Sequence, residues 1–262
     1  MRVPAFSECV AAPDELASFE LQLREEHARR YDADYLAIHG PWFPEVELAI
    51  LRRALCLSSE DVLVDMGCGT GRLTVRLAPF CTHVIAMDRS PGSLAFQRQQ
   101  MRDRGVGNIS TVEADVTERP RMDSPVTKVV SVQPLQHIPT CARRRAALRN
   151  AFDALRPGGR IVLVDENHGA VHRLRAKPRE SAHPNVLVFH SFEPDEIRAD
   201  LESSGYRVDR VGGCGVPYWT RYRISPRSFA ILDNWLAFVP GASLIAKFLV
   251  SVGIKPVSSA SS

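Results

Sequence analysis

The sequence predicts an α/β protein built on a doubly wound, mostly parallel sheet, and three observations carry that expectation. In DVLVDMGCGTGRLTVRLAPF (residues 61–80) a β-branched apolar run enters a Gly-rich turn and leaves it as an amphipathic helix. Strand-like and helix-like runs then alternate, as they must when each parallel strand is reached by crossing over the sheet. The residues able to do chemistry fall at the carboxyl ends of those strand runs, where open parallel sheets hold their ligands.

Each element has a local reason. Pro13 and Asp14 open a helical stretch through Arg30, and Pro44 and Glu45 open another, with Val46, Leu48, Ala49 and Leu51 at helical spacing. The strand of residues 61–66 follows, then THVIAMD as a second buried strand. SPGSLAFQRQQMRDRG reads as a helix with Ser90 as N-cap and Pro91 in its first turn. NISTVEAD, TKVVSVQ and GRIVLVDE read as strands, with a helix from Cys141 to Leu155 between the last two. Past Glu166 the pattern loosens through residues 167–192; a helix from Glu193 to Ser204 and a strand from Tyr206 to Val211 come next. A helix around Phe229–Phe238 and a last strand, KFLVSVGI, finish the sheet. The expected organisation is N-terminal helices forming a lid (1–57), one Rossmann-like domain (58–255) with cap insertions at about 166–192 and 214–246, and a disordered Ser-rich tail (256–262).

Composition narrows the classes without choosing among them. The 262 residues, 45% hydrophobic and 24% charged, suit one globular domain with appendages, and a net charge of +3 announces no basic stripe for nucleic acid. The six cysteines contain no CxxC pair, so spacing supports neither zinc nor a dithiol redox site, and reduced thiols in a cytoplasmic protein are expected. The N-terminus lacks the continuous apolar core of a signal peptide. The most apolar stretch, residues 229–254, is broken by Asp233, Asn234, Pro240, Gly241 and Lys247, against the roughly 20 continuous residues of a spanning helix.

The informative constellation joins two strand ends. Gly67, Gly69 and Gly71 in DMGCGTG let the backbone turn sharply and approach a ligand closely. Asp88, ending the second strand, can accept both hydroxyls of a ribose, so the two strand ends suit a nucleoside. A dinucleotide fingerprint requires GxGxxG, yet Arg72 stands at the third glycine and the loop reads GxGxG, which disfavours a nicotinamide cofactor.

With VDMGCGTGR, Asp88, the EAD ending at Asp115, VVSVQPLQHI and LRPGGRIVLVDE in place, residues 60–165 resemble the class I, Rossmann-like S-adenosylmethionine-dependent methyltransferases of small-molecule type. The resemblance implies a seven-stranded sheet with its last strand antiparallel and an N-terminal helical cap. It implies that Gly67, Cys68, Gly69 and Gly71 line the methionine part of S-adenosyl-L-methionine, with S-adenosyl-L-homocysteine as product. Asp88 would hold the ribose, Arg89 flank the adenine, Asp115 and Val116 meet its amino edge, and Asp65 anchor the loop and reach the ammonium group. Val132, Gln133 and the stretch to His137 would pass beside the methyl group. The family often carries an aspartate near Lys128 that this chain lacks. Tyr31 and Tyr35 are similar to the family's aromatic lid residues.

Methyl transfer is an in-line displacement, so positioning does much of the work and a base is needed only for some acceptors. Candidate bases are His137 and His168, both just past strand ends, with His190 as a weaker third. Acceptor choice is expected to rest with the N-terminal helices and the insertions, rich in Trp42, Phe43, Tyr218, Trp219, Tyr222, Trp235 and Phe238. The basic run Arg173, Arg175, Lys177 and Arg179 reads as a solvated loop able to meet an anion. The leading expectation is methylation of a small, aromatic or apolar acceptor, on oxygen before nitrogen or carbon, with no nucleic-acid partner and no metal. Two alternatives stay open: a prenylated or lipid-like acceptor met by peripheral contact with a membrane surface, and a non-catalytic, cofactor-binding regulator. Oligomeric state is not readable.

Overall fold

The computed structural model describes residues 18, 21–22, 24–26, 28, 30–41, 43–118, 125–174, 176–183, 186–216 and 225–257. Strands are β1 (Val62–Met66), β2 (His83–Asp88), β3 (Ile109–Glu113), β4 (Val126–Val132), β5 (Leu155–Glu166), β6 (Glu180–His183), β7 (Val186–His190), β8 (Arg207–Cys214) and β9 (Phe248–Ile254). Helices are α1 (Tyr31–His39), α2 (Phe43–Leu55), α3 (Thr74–Leu77), α4 (Pro91–Arg104), α5 (Cys141–Ala154), α6 (Ala170–Leu174), α7 (Pro194–Ser203), α8 (Pro226–Leu236) and α9 (Ala242–Ile245).

Seven strands form one sheet in the order β3-β2-β1-β4-β5-β9-β8. All pairs among the first five are parallel, and β9 runs antiparallel to both β5 and β8. The expected fold class, with its antiparallel last strand, therefore holds. Alternation along the strands explains the double winding, since neighbouring side chains leave opposite faces. Leu63, Val130 and Val162 join α2 in one core layer, whereas Val64, Val129 and Ile161 join α5 and α7 in the other. Because the chain works outward through β1, β2 and β3 and then returns to β4, the order reverses between β1 and β4, opening a crevice at their carboxyl ends.

Local signals account for the helix ends. Ser90 accepts the Ser93 amide ahead of Pro91, and Gly105 takes the left-handed conformation that closes α4. Glu193 and Glu196 form a reciprocal capping box at the start of α7.

Several expectations change in detail. LRPGG, where the expected helix ends at Leu155 and the expected strand begins at Gly159, belongs throughout to an early, bulged part of β5: Leu155 pairs with Val126 and Arg160 with Lys128. The segment read as loose contains the hairpin β6–β7. Phe43, expected in the acceptor wall, is fully buried in the core, as are Val46, Leu51 and Leu55 of the same helix. Tyr35 is also interior, at 4% exposure. Only residues 18, 21–22 and 24–26 of the helix expected over 13–30 are described as helical. Trp42, Arg175, Tyr218, Trp219 and Tyr222 lie outside the described residues.

Candidate active site

The crevice between the ends of β1 and β4 is a cavity, and most of the residues singled out in the sequence meet there. Tyr31, Asp65, Gly67, Cys68, Gly69 and Asp88 line it, as do Arg89, Asp115, Val116, Val132, Gln133 and His137. Gly71 does not. Its φ of +82° shapes the turn, and a Cβ there would come within 2.3 Å of Gln97 Cγ, so this glycine lets the loop seat against α4.

The Gly-rich turn is tied to β2 by backbone bonds: the Gly67 and Cys68 amides both donate to Met87 O, at 2.8 and 2.9 Å. Gly69 N–H donates to Asp88 Oδ2 at 2.8 Å and Ser90 N–H to Asp88 Oδ1 at 2.9 Å. Each Asp88 oxygen thus has one amide and keeps a further lone pair for a ligand hydroxyl. Burial raises the Asp88 pKa, while the two amides and the Arg24 and Arg89 charges oppose the rise. Among the described residues beyond its own chain neighbours, no heavy atom lies within 4 Å of where a Gly69 Cβ would sit.

Asp65 stands at the end of β1, 4% exposed, with its Oδ2 accepting from Thr74 Oγ1 at 2.6 Å. Burial lifts its pKa to about 6, the Thr74 bond opposes this, and Asp88 adds to it. A cation placed beside Asp65 would favour its ionised form. Asp115 is shaped by its own turn, Oδ1 accepting from Thr117 N–H at 2.8 Å and Thr117 Oγ1 at 2.7 Å. Its other oxygen faces Arg143 at 3.4 Å and Arg89 at 3.9 Å.

On the β4 side, Gln133 adopts φ +69°, a conformation seldom taken by residues other than glycine and one that clusters at functional sites. Its Nε2 lies 3.5 Å from Tyr35 Oη, which donates to Glu47 Oε1 at 2.7 Å. Glu47, 2% exposed, pairs with Arg72, whose guanidinium lies 3.8 Å over the Tyr35 ring. Arg72 also lines the cavity, and the Glu47 charge raises its pKa against the opposing effect of burial.

The N-terminal segment reaches the same place. Asp32 of α1 accepts from Thr70 Oγ1 at 2.6 Å, and Glu25 accepts from Gly92 N–H at 2.9 Å and from Ser90 Oγ. Arg24 and Tyr31 line the cavity. Sequence reading missed Glu25, Arg24, Thr74, Arg143 and the Glu47–Arg72 pair as parts of the site. The only available signal was Arg72, next to the last glycine of the loop.

The candidate bases separate. His137 lines the cavity. His168 does not: it is 6% exposed, its backbone amide donates to Phe192 O, and burial lowers its pKa. His190 is buried away from the cavity, with Nε2 2.9 Å from Glu196 Oε1. Trp235 and Phe238 do not line the cavity either.

The cavity fits a nucleoside carrying a charged chain. Gly67, at φ +75°, sits where a Cβ would be 2.5 Å from Pro134 Cβ, so the cradle tolerates no side chain there. Asp88 presents acceptors for vicinal hydroxyls, and Asp65 offers a buried carboxylate for a cation.

A family profile described as a methyltransferase domain matches residues 63–159. The chain is 28% identical over 229 residues to the ubiquinone biosynthesis O-methyltransferase of Xanthomonas euvesicatoria pv. vesicatoria, covering 80% of this chain and 88% of that one. It is 34% identical over 132 residues to a probable cobalt-precorrin-6B C(15)-methyltransferase (decarboxylating) of Methanothermobacter thermautotrophicus, covering 49% of this chain and 64% of that one, so it spans under two thirds of that relative. The N-methyltransferase NodS of Bradyrhizobium japonicum WM9, solved with S-adenosyl-L-homocysteine, superposes with a TM-score of 0.63 at 18% identity, covering 91% and 99% of the two chains. The [4+2]-cyclase SpnF superposes with a TM-score of 0.58 at 17% identity, covering 82% and 81%. At such identities the superpositions speak for the fold alone.

Proposed function

Because this chain belongs to the class I, Rossmann-like S-adenosylmethionine-dependent methyltransferases, we propose that it transfers a methyl group to a small organic acceptor, aromatic or apolar, whose hydroxyl oxygen attacks the methyl carbon as the carbon–sulfur bond breaks and whose proton is given up to bulk solvent. The observation that carries the cofactor side is the convergence of Asp88, the Gly69 amide, Asp65 and Asp115 on one cavity at the strand-order reversal. Asp88 holds the ribose hydroxyls, Asp65 the ammonium and Asp115 with Val116 the adenine edge. S-adenosylmethionine, when bound, supplies a methyl group activated by a sulfonium.

The chain's own residues hold the two reactants in line and keep water out. Tyr31 and the other described residues between 18 and 41, pinned by Asp32 and Glu25, serve as the lid. The lid expected over residues 1–57 is proposed only that far, because α2 is a core layer. His137, on the turn after β4, is the residue proposed to meet the acceptor. Oxygen as the methylated atom draws support from the Xanthomonas relative, whose name specifies O-methylation.

Calorimetric titration with S-adenosylmethionine and S-adenosylhomocysteine, with NAD as control, tests the cofactor assignment. Binding of NAD in place of the sulfur nucleosides would overturn it. Asp88→Asn is expected to weaken binding by about 1.5–3 kcal/mol, roughly 10- to 150-fold, since one charged acceptor is lost. An unchanged affinity would remove Asp88 from the ribose site. His137→Ala should lower kcat about 10- to 100-fold with cofactor affinity within about 2-fold, while His168→Ala leaves kcat nearly unchanged. The reverse pattern would move the acceptor side to β5.

A second reading, a lipid-like acceptor met at a membrane surface, is favoured by one observation. Ile231, Trp235, Val239, Leu244 and Ile245 are 62%, 75%, 48%, 48% and 50% exposed along α8, α9 and the turn between them. No helix among the described residues is long and apolar enough to cross a membrane. Under this reading the chain sediments with anionic phospholipid vesicles and Trp235→Ser with Ile231→Ser reduces the bound fraction severalfold. A chain left in the supernatant would dismiss it.

A further inference from the structure

We infer that Gln136 sets the proton position on His137, holding the neutral ring as its Nδ1–H tautomer, so that His137 cannot take a proton at Nε2 while the pair is intact. The inference rests on His137 being the acceptor-side residue for its catalytic meaning, and on hydrogen-bond chemistry alone for its structural content.

Gln136 lies in the short turn Leu135–His137 that follows β4, and it is 3% exposed. The backbone N–H of Glu166, at the end of β5, points to Gln136 Oε1 at 2.9 Å. A backbone N–H can only donate, so the amide oxygen must face β5 and the NH2 group must face the other way. That NH2 group is 3.3 Å from His137 Nε2. It too can only donate, so Nε2 is the acceptor and the neutral imidazole carries its hydrogen on Nδ1.

Reversal is blocked from behind. Turning the Gln136 amide over would set its NH2 against the Glu166 N–H and leave that buried donor without an acceptor. Protonating Nε2 would set two donors against each other. The ring's own freedom is limited by Phe189, whose ring stands edge-on with centroids 5.8 Å apart. Gln136 is therefore a positioning residue: it reads the end of β5 with one atom and hands the consequence to His137 with the other. Under the proposed function, His137 serves the acceptor as a hydrogen-bonding group of fixed polarity and not as a proton sink at Nε2. Positioning then supplies the rate.

The test is long-range proton–nitrogen correlation NMR at pH 8 on the full chain labelled with 15N-histidine, His137 being assigned by the signal lost in His137→Gln. The expected result is a predominant Nδ1–H pattern for His137 in the unmodified protein. In Gln136→Glu the new carboxylate still accepts from Glu166 N–H but cannot donate, so the His137 population should reverse to a ring protonated at Nε2. A wild-type His137 found mainly as Nε2–H overturns the inference, as does a Gln136→Glu ring that keeps Nδ1–H. Should that variant not fold, the wild-type spectrum decides by itself. An unimpaired His137→Ala enzyme would discard the acceptor-side reading and leave the tautomer result standing.

Discussion

Asp165→Asn should make the protein more stable at pH 8 by about 1–4 kcal/mol and flatten its stability between pH 4 and 7. Asp165 is 2% exposed at the end of β5, and among the described residues neither carboxylate oxygen has a partner of hydrogen-bond geometry. Burial raises its pKa from 3.8 to about 7, with the Gln136 backbone and the Arg144 charge only softening the rise. The sign follows from proton linkage. A folded-state pKa above the unfolded value means that the native state binds the proton more tightly, so its stability falls as pH climbs from about 4 to about 7. A shift of about three units corresponds to at most roughly 4 kcal/mol. Asparagine has no charge to form, although its amide keeps an unsatisfied donor that takes back part of the gain. Denaturant unfolding of both proteins at pH 5 and pH 8 measures the difference. Asp65 and Asp233, each raised by burial to about 6, contribute similar slopes that cancel in the comparison. Parallel pH profiles for the two proteins would mean that Asp165 does not titrate there.

Gly67→Ala should cost about 2–5 kcal/mol of stability and most of the cofactor affinity. The residue has φ +75°, where an L side chain costs roughly 1–2 kcal/mol, and its Cβ would lie 2.5 Å from Pro134 Cβ and 2.8 Å from Pro134 Cγ. Neither ring atom is the end of a flexible chain, so the Gly-rich turn or the β4 turn must move, an overpacking cost of about 1–3 kcal/mol. Both turns wall the cavity, so either displacement shifts Asp88's partner Gly69 or the Gln133 turn. Gly105→Ala is the matched control: it shares a left-handed φ of +65° but a Cβ there meets none of the described residues within 4 Å beyond its chain neighbours, so it carries the conformational cost alone. Thermal unfolding and cofactor titration of both variants should separate them widely. Equal losses would show that the contact with Pro134 yields at no cost.

Much of the fold was legible because periodicity reports burial directly. β1, β2 and β4 lie inside the sheet, so β1 and β2 read as short apolar runs and β4 as one broken only at Thr127, Lys128 and Ser131, and their ends placed Asp65, Asp88 and Gln133 without reference to anything distant. Ser90, Pro91 and Gly105 likewise act within a single turn of helix, and local rules sufficed for them. The β6–β7 hairpin and the LRPGG part of β5 were not legible. The hairpin pairs through a register shift between Ser181 and His183, and the β5 segment pairs with Val126 and Lys128 of β4 across a bulge, so neither shows the alternation that periodicity reports.

The sequence alone determined the class of sheet and the Gly-rich turn with Asp88 at the next strand end, and the motifs from Val62 to Asp115 carry the resemblance to the family. These depend on backbone conformation and on short-range spacing, which the order of residues states openly. Tertiary structure decided the rest. It placed His137 at the cavity and His168 outside it, although both follow strand ends, because β4 borders the reversal point and β5 does not. It turned Phe43 and Tyr35 inward, joined Glu47 to Arg72 across 25 residues, and set Gln136 against the end of β5 so that one amide meets both Glu166 and His137. Those outcomes hang on which side chains share a low-dielectric interior, where every donor needs an acceptor, and that company is chosen only when the strands come together.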